Sequence, residues 1–280
     1  MRLPAGMWVH LNLQCQYTEA HHCITPLWQD GRKTEGQLLW PEAYDEDWCK
    51  RQRRTIGVKA WDTQYQGDPH PEGSREFNPE WLDYVFRRLC IEEVDRWIIS
   101  IDCNFKKSES SDLVSMQLIA KIGPYYYIVD ELTENMSWTT LKHSAKEYYH
   151  KWKEIGIFPL TVLIEEAANG YALCEEFVKD VGHAVHFRPQ GDKTQRARQT
   201  TGIWECGHVR LPFPGAVLVN KKGEVVFRLR PIWVSAYKQQ FRKFPQVKHD
   251  DSVDATSQGL IWLENPKNLR HKMPNVGVAA

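Results

Sequence analysis

The fold turns on "RWIISIDCNF", residues 96–105. The apolar run is short, lacks helical spacing and ends in a carboxylate, Asp102, which is the pattern of a strand buried on both faces. On its C-terminal side, "LVSMQLIAKI" (113–122) and "YYYIVDEL" (125–132) are joined by Gly123 and Pro124 and predict a β-hairpin. A helix follows over "SWTTLKHSAKEYYHKWKEIG" (137–156), capped by Ser137 and closed by Gly156. "PLTVLIEEAANG" (159–170) reads as a second buried strand and "NGYALCEEFVKDVG" (169–182) as a helix. "HAVHFRP" (183–189) is another strand, and "DKTQRARQTTGIWECG" (192–207) has helical spacing. After "HVRLPF" and a hairpin around "NKKGE" (220–224), two helical patterns close the region, "VSAYKQQFRKF" (234–244) and "DDSVDATSQGLIWL" (250–263). Strands alternating with helices imply an α/β layered sheet with right-handed crossovers.

Residues 1–92 differ. They are rich in Trp, Pro, Gly and charge, with one credible helix over "AYDEDWCKRQRRTIG" (43–57) and a linker with a short helix over 64–86. The first 60 residues are expected to be poorly ordered or to adopt local structure only. Their tryptophans, Trp8, Trp28, Trp40, Trp48 and Trp61, are dispersed as packing residues are, not as a base-stacking platform.

Composition excludes several classes. No apolar run approaches the ~20 residues of a membrane span, and the N-terminus lacks a signal-peptide pattern. Seven scattered cysteines fit a reducing cytoplasm better than a disulfide framework. Cys15, His21, His22 and Cys23 lack the tight pairs of a zinc site and read as a loop. No G-x-x-x-x-G-K-[ST] occurs, so ATP hydrolysis by a P-loop is excluded. Net charge is zero, yet 188–248 holds thirteen Lys and Arg against Asp192, Glu205 and Glu224, an excess of +10 balanced by −10 elsewhere. Such a segment can present a phosphate-binding face.

The acids carry the chemistry. One buried strand ends at Asp102 and another at Glu165 and Glu166, of which only one can face a given side. In open α/β sheets ligands gather beyond the carboxyl ends of the strands. The last helix opens with Asp250 and Asp251, and Asp254 shares a face with Asp251 at i, i+3. Capping a helix start explains one aspartate, not three. If these acids meet, their repulsion calls for hard divalent cations, Mg²⁺ or Mn²⁺. Two such ions ~3.5–4 Å apart can activate water against a phosphodiester. His249, beside the acids, reads as a surface histidine.

Segment 96–263 resembles the nuclease domain of the large terminase of tailed bacteriophages, on "SID", "LIEEAANG", "GDKTQRA", "GHVRLP" and "FPQVKHDDSVDA" taken in this order. Residues 36–82 resemble the end of that family's ATPase domain and its link to the nuclease. The resemblance implies a ribonuclease H-like α/β fold, a mixed sheet flanked by helices after an irregular N-terminal segment. It implies a division into 1–92 (ATPase-domain end and linker), 93–265 (nuclease) and 266–280 (tail). It matches Asp102, Glu165 and Asp251 to catalytic metal ligands, with Asp250 and Asp254 as further candidates for binding two Mg²⁺ or Mn²⁺ ions. Lys193 and Arg196 match a basic pair near DNA. The implied activity is endonucleolytic cutting of concatemeric double-stranded phage DNA in the host cytoplasm, beside a small terminase subunit and a portal. An ATPase motor is not expected from this chain, which reads as a fragment, isolated domain or prophage remnant. The alternatives are a transposase or junction resolvase of the same fold, and a non-catalytic docking module.

Overall fold

The computed structural model describes residues 9–69, 75–103, 112–158, 160–166, 170–180, 184–265 and 268, and the chain divides into two compact units, 1–74 and 75–280. In the first, α1 (Glu46–Ile56) is capped by Asp45, whose side chain accepts from the Trp48 N–H, and α2 (Val58–Tyr65) follows directly. Trp61 is fully buried, Tyr65 stacks on it with centroids 4.7 Å apart, and Trp48 meets Tyr65 edge-on. Before α1 the backbone is irregular and is held by a buried Arg32–Asp30 pair at 2.7 Å and by Cys15 N–H donating to Tyr65 O. The expectation of disorder or local structure alone therefore gives way to a unit with its own small aromatic core. Cys15 turns its sulfur to Cys49 at 3.8 Å, while the His22 ring bonds to the Asp30 carbonyl, so these two residues serve separate neighbours. Trp28 and Trp40 are exposed. Trp8 lies outside the described residues.

The second unit begins at Arg75, earlier than the expected boundary at 93. Phe77, Leu82, Phe86 and Leu89 are buried in it, and the stretch read as linker supplies a strand, β1 (Val85–Cys90). The sheet continues with β2 (Arg96–Asp102), β3 (Asp112–Ile122), β4 (Tyr125–Met136), β5 (Leu160–Glu165), β6 (Ala184–Phe187), β7 (Val209–Val219) and β8 (Val225–Arg228). Its order is β1-β7-β4-β3-β2-β5-β6, with β8 paired to β7. The β2–β3–β4 meander is antiparallel, whereas β2–β5, β5–β6, β4–β7 and β1–β7 are parallel, giving a mixed sheet. The helices are α3 (Trp138–Glu154), α4 (Gly170–Asp180), α5 (Lys193–Glu205), α6 (Val234–Lys243) and α7 (Asp251–Glu264). Of the expected tail, 266–280, only Asn268 is among the described residues. No described helix is long and apolar enough to cross a membrane.

Side chains alternate across the strands and build two cores. Ile99, Ile101, Val162 and Ile164 join Leu141, Trp152 and Phe177 of α3 and α4 on one face. Ile98, Leu163 and Ile119 join Trp204, Phe241, Val253 and Leu260 of α5, α6 and α7 on the other. Helix α7 is buried almost all round although it is rich in Ser, Thr, Gln and Asp. Gly259 permits that depth, since a Cβ there would lie 2.6 Å from Ile119 Cδ1 and 3.4 Å from Ser100 Cβ.

Burying so polar a helix requires partners for its polar groups. Ser100 Oγ donates to Ala255 O at 2.6 Å, and Gln258 Nε2 donates to Ser100 Oγ and Ile101 O at 2.8 and 2.9 Å. Gln117 Nε2 donates to Glu131 Oε1 and to Ser252 O at 2.8 and 2.9 Å, and Thr256 Oγ1 returns a bond to Gln117 Oε1. Burial drives the Glu131 carboxyl above its usual range, against the opposing pull of donors from Gln117, Ser252 and Ser115. A carboxyl with a raised native pKa contributes stability that is full below the unfolded value, about 4.3, and is lost as pH rises through the native pKa. Thermal melts of wild type and Glu131→Gln should therefore differ most in favour of wild type near pH 4 and converge or cross toward neutrality. Melting curves of the two that run parallel with pH would contradict this.

Candidate active site

Strands β2 and β5 are parallel neighbours with Ile101 opposite Ile164, so Asp102 and Glu165, the next residue of each, leave the sheet side by side. Alternation sends both toward α7: Ser100, two residues before Asp102, bonds α7, and Leu163, two before Glu165, shares a core with Val253. Glu166 faces away and pairs with the exposed Arg188. Of the two glutamates, Glu165 is the one turned inward.

Helix α7 brings the remaining acids. Asp45, Ser137 and Asp192 each cap their helices through their side chains, but Asp250, at the N-cap of α7, makes no such bond. Gln240 of α6 accepts the Ser252 N–H instead, at 2.9 Å. The Asp250 carboxylate accepts from Lys193 Nζ at 2.8 Å, and the same ammonium lies 2.6 Å from Asp254 Oδ2. Arg196 Nη2 donates to the other oxygen of Asp254 at 3.1 Å and lies 3.8 Å from Glu165 Oε1. Lys193 and Arg196 are i, i+3 on α5 and so share the face that packs on α7. Asp251 is half-buried at the same rim, and His249 is exposed.

The family model described as the terminase RNaseH-like domain matches residues 99–262, more than half of the chain. This chain belongs to that family. The match spans every acid of the rim together with both α5 cations. The domain is also similar in structure to the human cytomegalovirus terminase nuclease domain (9% identity, TM-score 0.48, 68% of this chain and 96% of that one). It is similar to the large terminase of a thermophilic bacteriophage in complex with ADP (11%, 0.44, 78% and 52%). A third similar structure is the bacteriophage SPP1 g2p nuclease domain with bound Mn (10%, 0.33, 54% and 87%). The chain spans about half the length of the thermophilic phage protein. No curated sequence relative matches.

Among the described residues of this terminase RNaseH-like domain the charges at the rim do not balance. Asp102, Glu165, Asp250, Asp251 and Asp254 contribute −5 when ionised and Lys193 and Arg196 +2, leaving −3. Burial, followed by repulsion from Asp254, Glu165 and Asp251, pushes Asp102 well above the ordinary aspartate range. Burial raises Glu165 against the pull of Arg196, and burial likewise raises Asp251 and Asp254. For Lys193, burial alone would favour the neutral amine, but Asp254 and Asp250 outweigh it and hold the ammonium charged. An oxygen-only, net negative donor set suits Mg²⁺ or Mn²⁺. Among the described residues, however, no three acidic, His or Cys side chains surround a common point able to hold a metal, and Lys193 and Arg196 are paired with Asp250, Asp254 and Glu165.

The basic pair expected near DNA is thus engaged with acids. Arg196 is 5% exposed and faces inward; Lys193 is 43% exposed in its side chain and lies at the mouth. Elsewhere in 188–248, Arg198 is bound by Glu76 and Lys238 by Asp83, while Lys221, Lys222, Arg228, Arg242, Lys243 and Lys248 are exposed. Sequence reasoning missed the inward role of Arg196. The available signal was its i, i+3 relation to Lys193 on a helix next in space to α7. Arg196→Met should cost about 3–5 kcal/mol in denaturant unfolding, because it leaves Asp254 and Glu165 buried beside no guanidinium. Adding Asp254→Asn should recover a large part of that loss, and additive costs in the double variant would refute the pairing.

Proposed function

We propose that this chain is a divalent-metal-dependent endonuclease that cuts double-stranded phage DNA during genome packaging. The reading is carried by one observation: acids from β2, β5 and α7, distant in sequence, meet at the carboxyl ends of two parallel strands, with two cations, Lys193 and Arg196, paired to them among the described residues. Membership of the terminase RNaseH-like family supports it. Asp102, Glu165 and Asp251 would hold Mg²⁺ or Mn²⁺, with Asp250 and Asp254 alongside. When bound, a pair of such ions would supply an activated water and stabilise the leaving oxygen of the phosphodiester.

The chain's own residues do the rest. The strand ends fix Asp102 and Glu165, and Arg196 holds Glu165 and Asp254 in place from below. The exposed Lys and Arg of 188–248 would grip phosphates with little base preference, since phosphate contacts position a duplex without reading it. Cut-site choice would then come from partners, a small terminase subunit and a portal, in the host cytoplasm. The sequence carries no P-loop, so cleavage, not ATP-driven translocation, is the activity proposed.

Purified protein incubated with supercoiled plasmid and Mn²⁺ should produce nicked and linear forms. Asp102→Ala should lower the rate beyond the about 100-fold that loss of an outer partner of a metal ligand can cost. Equal nicking by wild type and Asp102→Ala would sink the assignment of Asp102.

A further inference from the structure

The two cations in the acid cluster are not equivalent. Arg196 is enclosed, and its planar guanidinium spans Asp254 and Glu165 at 3.1 and 3.8 Å. Lys193 is the first residue of α5, beside the capping box formed by Asp192 and Gln195, and its side chain remains 43% exposed. Its ammonium bridges Asp250 and Asp254 at 2.8 and 2.6 Å, and Asp250 is itself 22% exposed in its side chain. One cation is therefore locked into the packing. The other sits on a flexible four-carbon stem at an open mouth and is a compact, strongly hydrated point charge.

We propose that Lys193 is an exchangeable cation, its ammonium filling between Asp250 and Asp254 the electrostatic place of a divalent ion, so that full metal loading requires this side chain to swing out. The inference rests on reading the cluster as a metal site, and it gives Lys193 a function that Arg196 does not share. It also accounts for the arrangement of the acids. With the ammonium in place Asp254 is turned to α5, and no three carboxylates close on a single point among the described residues. Removal of the ammonium frees the Asp250 carboxylate and one oxygen of Asp254 together. The displaced lysine, already at the surface, then needs another anion, and a backbone phosphate of the substrate supplies one. Metal entry and DNA contact are thereby coupled through one side chain.

A cation that competes for a site lowers that site's affinity for another cation, so removing it must tighten metal binding. The measurement is calorimetric titration of Mn²⁺, without DNA, into wild type, Lys193→Met and Lys193→Arg, each checked for folding by thermal melt. Methionine keeps most of the stem and loses the charge; arginine keeps the charge. Lys193→Met should bind Mn²⁺ about tenfold more tightly, equivalent to about 1.4 kcal/mol, or gain an ion, while Lys193→Arg stays at or below wild type. Should the methionine variant fail to fold, Lys193→Gln replaces it with the same expectation. Unchanged or weaker binding by the charge-removed variant overturns the proposal and leaves the metal reading standing. Arginine tightening binding as much as methionine also overturns it, because the gain would not come from lost charge. Absence of heat with every protein overturns the metal reading itself, and this inference with it.

Discussion

Carboxylates repel, and the domain places five of them at one rim. Two are set by adjacent strand ends and three by the first turn of a helix that crosses them, and among the described residues Lys193 and Arg196 oppose the accumulated charge. Much of the surrounding architecture can be read as a means of holding that arrangement. The sheet fixes Asp102 and Glu165. The polar seam of Ser100, Gln117 and Glu131 anchors α7, and Gln240 of α6 accepts the Ser252 N–H in the first turn of that helix, where Asp250 makes no side-chain cap. Burial and repulsion between the acids raise the Asp102, Glu165 and Asp251 carboxyls, and pairing with Lys193 and Arg196 offsets part of the charge.

The division of labour between α5 and α7 follows from burial. Helix α7 lies between the sheet and its companions, with Ser252 to Leu260 all buried, so its acids have little freedom as a group. Helix α5 contributes one enclosed and one open cation from consecutive turns. The deep part of the site is therefore stiff, and adjustability is concentrated at its mouth.

The sequence made most of the second unit legible, because its strands are short apolar runs and its helices carry Ser137, Asp192 and Gly156 where boundaries fall. Strand β1 was hidden: "VFRRLC" puts two arginines side by side, and its register on β7 breaks between Phe86 and Arg88, so no alternation survives to be read. Helix α2 has eight residues and a single buried side chain, Trp61, too little for a periodic signal. The acids stood out because buried strands rarely end in charge. Arg196 did not, since a basic residue on a helix looks the same in sequence whether it points to water or to an aspartate; only the roll of α5 against α7 decides.

The parallel register of β2 and β5 has one more consequence. Neighbouring strands keep a separation of about 4.8 Å, fixed by backbone hydrogen bonds and indifferent to side-chain identity. With Ile101 level with Ile164, that interval becomes a built-in ruler between the bases of Asp102 and Glu165. Drift in the surrounding side chains cannot stretch it, so the spacing of the two strand acids is inherited from the peptide backbone.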